Sequence, residues 1–334
     1  MDKLNSIIDK ALSRRSFLAG AGSVAASGLI AGCSNDTVTS VSSPTSTYTD
    51  ADVLNFALNL EYLEAQFYLY AATGKGLAAA DTEAPSGYTG DYTEGTVTTG
   101  SAAQVSGLTT AQQQIINEIA FEEQEHVRFL RAALGSSAVP MPSIDLSFFA
   151  PLASLASSGA LTSFSPFANF NAFLVGAFIF EDVGVTAYSG AAPLISAAGV
   201  ASGYLTAAAG ILAVEAYHAA YIRTAITANA ITAGSATAYP YITYANDVAA
   251  LRASLTVGNS TAPGMAGSVE TPLALPTSLT SSSSIVAASP TTAIGFARTV
   301  DQVLHIVYGS ATVGAKSGGF FPSGVNSIFA TTTA

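Results

Sequence analysis

The sequence predicts an all-α protein, a four-helix bundle with one long crossover followed by a partly irregular C-terminal extension. Three observations predict it. Apolar residues recur at three- and four-residue steps through four segments, residues 49–72, 110–134, 167–189 and 202–232. The links between them are unequal, and the long, proline-bearing one (residues 136–166, with Pro140, Pro142, Pro151 and Pro166) falls between the second and third segments. Glutamate and histidine occupy stripe positions where aliphatic residues belong. Charged residues make up only 10% of the chain, so such placements carry information.

The chain of 334 residues opens on an address. Lys3 and Lys10 precede Ser13-Arg14-Arg15-Ser16-Phe17-Leu18, and small and apolar residues follow to Gly32. A charged stretch before a short apolar one is the pattern of an export signal. The Arg14-Arg15 pair with Phe17-Leu18 resembles a twin-arginine signal. That resemblance implies export in the folded state with a cofactor in place, to the periplasm or cell envelope. Ile30-Ala31-Gly32-Cys33 resembles a bacterial lipobox, which implies a lipid anchor at Cys33; ordinary cleavage nearby is the alternative. Residues 34–49, rich in Ser, Thr and Pro, read as a flexible tether.

Composition excludes several classes. Without residues 1–33, 7 basic and 20 acidic residues remain, a net charge of −13. Such a surface attracts cations and is a poor partner for nucleic acid, whose phosphates need clustered Lys and Arg. One cysteine excludes an internal disulfide and a thiolate metal cluster. The apolar run 172–180 ends at Glu181, which marks a buried helix segment, so a membrane is expected only through an anchor at Cys33.

The bundle is expected over residues 50–232. Its first helix begins near Asp50 or Asp52 as caps, and the second begins at Thr110, a capping residue, and stops at Gly135. The third stops at Gly190. Residues 73–108, rich in Gly, Thr and Tyr, are expected to form a small hairpin or an ordered loop. Residues 233–334 are expected to pack on the bundle. They carry helical stretches near 244–255 and 298–308, and their aromatic residues need burial.

The chemistry lies in the stripes. The second helix contains Glu123-Gln124-Glu125-His126 and the fourth Glu215-Ala216-Tyr217-His218. A spacing of three puts each Glu and His on one helical face. Ile116, Ile119 and Leu130 share that face in one helix, Ala208, Ile211 and Ile222 in the other. Charges buried there cost several kcal/mol (on the order of 3 or more) unless paired or bound to metal. The first and third helices add Glu61 with Tyr68 and Glu181 with Tyr188, each pair seven residues apart. One Glu from each of two helices with Glu-x-x-His from the other two is the ligand set of di-iron and di-manganese carboxylate proteins. Glu61, Glu123, His126, Glu181, Glu215 and His218 are therefore expected to bind two iron ions, or two manganese ions. Glu123 and Glu215 are expected as bridges, Glu61 and Glu181 as terminal ligands. Surface charges, or a buried polar core without metal, are the competing readings of the same residues.

Other residues fall around this set. Glu64 lies near the first stripe, an extra ligand whose counterpart is Gly184. Glu118, Glu122 and Glu125 read as a solvated face, Asp182 as a surface residue or an acceptor for a ligand histidine. Tyr68 and Tyr188 are candidates for donating a hydrogen bond or an electron, though ordinary core tyrosines show the same pattern. His305 reads as a packing histidine. Arg131 and Arg223 each fall five residues after a histidine, so the chain reads as two related halves.

These motifs resemble the ferritin-like superfamily. The run 54–65 (LNFALNLEYLEA), together with Arg298-Thr299, Ile306-Val307-Tyr308-Gly309 and Gly318-Gly319-Phe320-Phe321-Pro322, is similar to the bacterial and plant desiccation-related ferritin-like proteins. The resemblance implies a ferritin-like bundle and a link to stress. Two functions follow as expectations. One is oxidation of Fe(II), or removal of O2 or H2O2, at the two metals. The other is a non-catalytic envelope protein whose metal staples the bundle. Bulk iron storage fits a tethered chain with a long tail poorly. Metal ions and O2 or H2O2 are the expected partners. Oligomeric state is left open, with a dimer among the arrangements allowed.

Overall fold

The computed structural model describes residues 48–256, 270–274, 285–289 and 292–333. The expected signal, the lipobox with Cys33, and the tether up to residue 47 lie outside the described residues, as does much of the stretch after residue 256 that the sequence predicts to be irregular. Four long helices form the core: α1 (Asp50–Thr73), α2 (Thr110–Leu134), α3 (Phe170–Ala191) and α4 (Tyr204–Ala233).

Their ends follow capping chemistry, shifted slightly from the sequence expectation. The caps are Thr49 and Thr109 rather than Asp50 and Thr110. Each threonine accepts from a backbone N–H three residues on, while Asp52 or Gln112 returns to the threonine N–H. The reciprocal pair satisfies two orphan donors at once, which an aspartate inside the first turn cannot do. Asn169 caps α3, so that helix starts later than the apolar pattern does. Gly234 closes α4 at φ 81°, a conformation that suits glycine.

The helices pair as α1 on α2 and α3 on α4, and the two pairs meet mainly through α1 and α3. Both pairs are antiparallel. Asn55, near the start of α1, bonds the Ser137 carbonyl just past α2, and Gln113 reaches back to Ala72. Asn171 and Asn229 meet in the same sense across α3 and α4. Residues 73–108 form an ordered loop rather than a hairpin. Its strand β1 (Val97–Thr98) pairs in parallel with β2 (Ile144–Asp145) in the crossover, so two long connections brace each other. Phe149, from the crossover helix Phe149–Ala156, joins Phe67, Phe173 and Phe180 in an aromatic core. Two helices, Phe170–Leu194 and Tyr204–Ala233, are long and apolar enough to cross a membrane by composition, and the first is largely buried in the bundle.

The C-terminal extension adds α5 (Tyr241–Leu255) and α6 (Val300–Val307). The Phe320 ring sits 5.0 Å from the rings of both Phe149 and Phe180. Buried Asn59 on α1 exchanges two hydrogen bonds with the Asn326 backbone. Beneath α5 lies a buried ionic chain. Asp182 accepts from Arg223 at 2.7 Å and Arg252 at 2.9 Å, Arg252 also donates to Glu270, and Glu270 takes Arg298. The Arg252 guanidinium lies 4.5 Å from the Phe178 ring centre. This corrects the expectation for Asp182. It is buried, and it serves arginines rather than a histidine or the solvent, because the tail brings Arg252 over it.

Candidate metal centre

Each of the four long helices delivers one part of a single buried cluster. Glu61 comes from α1, Glu123 and His126 from α2, Glu181 from α3, Glu215 and His218 from α4, and all six are buried. His126 Nδ1 lies 3.2 Å from Glu61 Oε2, 3.6 Å from Glu123 Oε2 and 3.7 Å from Glu215 Oε1. His218 Nδ1 lies 3.2 Å from Glu123 Oε1 and 3.4 Å from Glu181 Oε2. Glu123 thus turns one oxygen to each imidazole. Glu64 joins them: its carboxylate groups with those of Glu123, Glu181 and Glu215, with ligand atoms all within 4.8 Å of one another.

The donor set fits divalent metal. The buried ring atoms His126 Nδ1 and His218 Nδ1, both Glu123 oxygens, and one oxygen each of Glu61, Glu64, Glu181 and Glu215 have no hydrogen-bond partner. Leaving so many buried acceptors unpaired costs about 1–3 kcal/mol each, so the cluster calls for a counter-charge. Mixed imidazole and carboxylate donors suit iron and manganese. Electrostatics say the same. Burial raises the pKa of Glu61 and Glu181 against the pull of their histidines. Burial, then neighbouring carboxylates, raises Glu64 and Glu215 much further. Burial also resists charge on Glu123, yet the two imidazoles hold it down at about 2. Burial disfavours imidazolium at His126, but Glu61 and Glu123 drive its pKa up to about 11, and Glu181 and Glu123 raise His218 in the same way. These directions mean that the buried carboxylates resist carrying their negative charge together unless a cation offsets it.

The two halves of the chain repeat this geometry. Tyr68 of α1 donates to Glu181 of α3, and Tyr188 of α3 donates to Glu61 of α1. Each tyrosine therefore orients the carboxylate of the opposite half. Arg131 donates to Tyr62, the residue after Glu61, and Arg223 donates to Asp182, the residue after Glu181. The five-residue offset from each histidine gives the two arginines matching places, and the tertiary structure supplies a different partner for each.

Two positions break the repeat. Glu64 corresponds to Gly184, and a Cβ on Gly184 would stand 2.2 Å from Glu215 Oε2. The missing side chain leaves room for the carboxylates. Glu122 corresponds to Val214. Expected on a solvated face, Glu122 instead lies with Oε2 2.6 Å from His218 Nε2, because α4 runs close beside it. Nothing in the helical pattern of α2 alone signals that contact. Glu118 is exposed, and Glu125 pairs with Arg128. His305 is buried away from the cluster, its Nδ1 2.6 Å from the Ser310 carbonyl.

The cluster is enclosed unequally. Between α1, α3 and the tail, a cavity of about 10 Å³ is lined by Glu64, Val307 and Phe320. Between α2 and α4 a groove of about 300 Å³, lined by Ile115, Glu118, Glu122, Tyr217 and His218, reaches in from the surface.

Comparison with known proteins gives consistent results. The family described as "Ferritin-like domain" matches residues 49–228. The chain is 34% identical over 177 residues to "Desiccation-related protein PCC13-62" of Craterostigma plantagineum, a match covering 52% of each chain, so it spans about half that relative's length. It is 26% identical over 280 residues to "Ferritin-like catalase Nec2" of Nesocodon mauritianus, covering 83% of each. No solved structure matches.

Proposed function

The chain belongs to the ferritin-like domain family, and we propose that it binds two iron or manganese ions in the bundle core and uses them to remove hydrogen peroxide. One observation carries the reading: the unpartnered donor atoms of Glu61, Glu123, His126, Glu181, Glu215 and His218 face one another in a buried space. The name of the 26% identical relative, a ferritin-like catalase, supports peroxide as the substrate. When bound, two such ions supply redox equivalents and Lewis acidity at adjacent sites.

The protein's own residues have distinct parts. Glu123, which turns one oxygen to each imidazole, would hold both ions, with Glu215 as the second shared carboxylate and Glu64 beside them. Glu61 and Glu181, each held by a tyrosine hydroxyl, would each serve one ion. Tyr68 and Tyr188, whose phenols burial and the adjacent carboxylates keep protonated, donate hydrogen bonds to those carboxylates. The α2–α4 groove admits small polar molecules, while the tail and the aromatic core exclude water from the opposite side. Export by the twin-arginine route and anchoring through Cys33 complete the proposal, placing the activity in the cell envelope.

The desiccation-related relative favours a second reading, in which the metal only staples the bundle. Metal analysis of protein exported by its own pathway, then anaerobic Fe(II) or Mn(II) loading and exposure to H2O2 or O2, separates the two. Two metals per chain with oxygen evolution from peroxide supports the first. Two metals and a raised melting temperature without peroxide loss or Fe(II) oxidation supports the second. No bound metal removes both.

A further inference from the structure

Among the described residues, Glu122 is the one carboxylate of the α2–α4 groove that touches a residue of the cluster. Its Oε2 lies 2.6 Å from His218 Nε2 at the inner wall of the groove, and its side chain is 34% exposed. The other ring nitrogen of His218 faces Glu123 and Glu181. An imidazole with a carboxylate on Nε2 carries its proton there, leaving the Nδ1 lone pair free for a metal, and the second bond fixes the ring's rotation. Among the described residues His126 lacks such support: the residue that corresponds to Glu122 in the other half is Val214, whose side chain has no acceptor, and the carboxylates paired with His126 face its Nδ1. Glu122 comes from α2 and His218 from α4, so the contact also ties together two helices that otherwise flank a groove.

We propose that Glu122 is a positioning residue that orients His218 and makes the two metal positions unequal, favouring occupancy of the His218 position. The inference rests on the metal-binding reading above, and its test keeps the two apart. Mn(II) is titrated into the full chain under anaerobic conditions, with binding followed by calorimetry and by electron paramagnetic resonance. In Glu122→Leu one of the two binding steps weakens about 10–100-fold, the usual cost of losing such a partner, while the other is unchanged. At one equivalent the wild-type spectrum shows the sharp hyperfine pattern of an isolated Mn(II) at the favoured position, whereas Glu122→Leu, with its two positions closer to equal, shows a larger share of coupled pairs. Glu122→Gln, whose amide oxygen still accepts from Nε2–H, restores part of the lost affinity. Glu118→Leu, in the same groove without contact to a histidine, leaves both steps unchanged. An unaltered titration in Glu122→Leu overturns the proposal, as does equal weakening of both steps. A wild-type chain that binds no Mn(II) or Fe(II) overturns the metal reading and this inference together.

Discussion

The two halves of the bundle use one plan and secure it by different means. In the first half, Arg131 supports the stretch beside Glu61 through a neutral phenol, Tyr62, and through the Glu83 carbonyl of a loop. In the second, Arg223 supports the stretch beside Glu181 through a buried carboxylate, Asp182. Asp182 also takes Arg252 from the C-terminal extension. The difference teaches what the extension does. A half-exposed arginine can be satisfied by loops, but a buried ion pair needs further partners, and the tail supplies them.

The comparison can be broken most decisively at what the halves share. Replacing His126 and His218 together with Ala removes the only imidazole donors of the cluster, and metal analysis should find neither ion. Retention of two metals per chain would show that the ligands lie elsewhere. The next largest effect separates the halves. Asp182→Asn removes the carboxylate charge that two buried arginines share, leaving Arg223 the Thr271 carbonyl and Arg252 Glu270, and should cost about 3–5 kcal/mol in urea unfolding. Tyr62→Phe, at the corresponding position, removes one hydroxyl that accepts from Arg131 and donates to Val139, for about 1 kcal/mol. Equal losses would mean that the buried chain contributes nothing beyond an ordinary hydrogen bond.

A third effect concerns pH and both halves alike. In the metal-free chain His126 rises from 6.5 to about 11 and His218 rises too. Groups raised on folding lend stability that is complete below their unfolded pKa and fades as pH climbs through the folded one. The raised carboxylates act in the same direction above 4.5; Glu123 opposes them only between about 2 and 4.5. The metal-free melting temperature should therefore fall as pH rises from neutral toward 11, and bound metal should flatten the curve. Metal binding should also release protons, seen as a dependence of calorimetric heat on buffer ionisation enthalpy. The smallest effect on stability is Gly184→Ala. Alanine favours the helix by about 1 kcal/mol, but its Cβ displaces the Glu215 carboxylate. Little change in melting temperature with weakened metal binding is the expected outcome; unchanged affinity would show that the glycine is not needed for the carboxylates.

The four helices were legible because each is long and carries a periodic apolar face, a signal that accumulates over many residues. The cluster was legible for a related reason. Glu123, His126, Glu215 and His218 interrupt aliphatic stripes, and a charge in such a place needs an explanation that a local pattern can already demand. Glu64 was half legible, three residues from Glu61 on the same face. Glu122 and Asp182 were not, since their partners belong to other helices or to the tail.

Sequence alone determined the four long helices, the inward direction of the clustered Glu and His side chains and the internal repeat, because each depends on the geometry of a single helix. Only the tertiary structure decided which side chains complete one another across the halves: Tyr68 with Glu181, Tyr188 with Glu61, Glu122 with His218, and the arginines gathered around Asp182 and Glu270. Those choices follow from how the helices and the tail approach, and a contact between distant segments leaves no periodic trace in either of them.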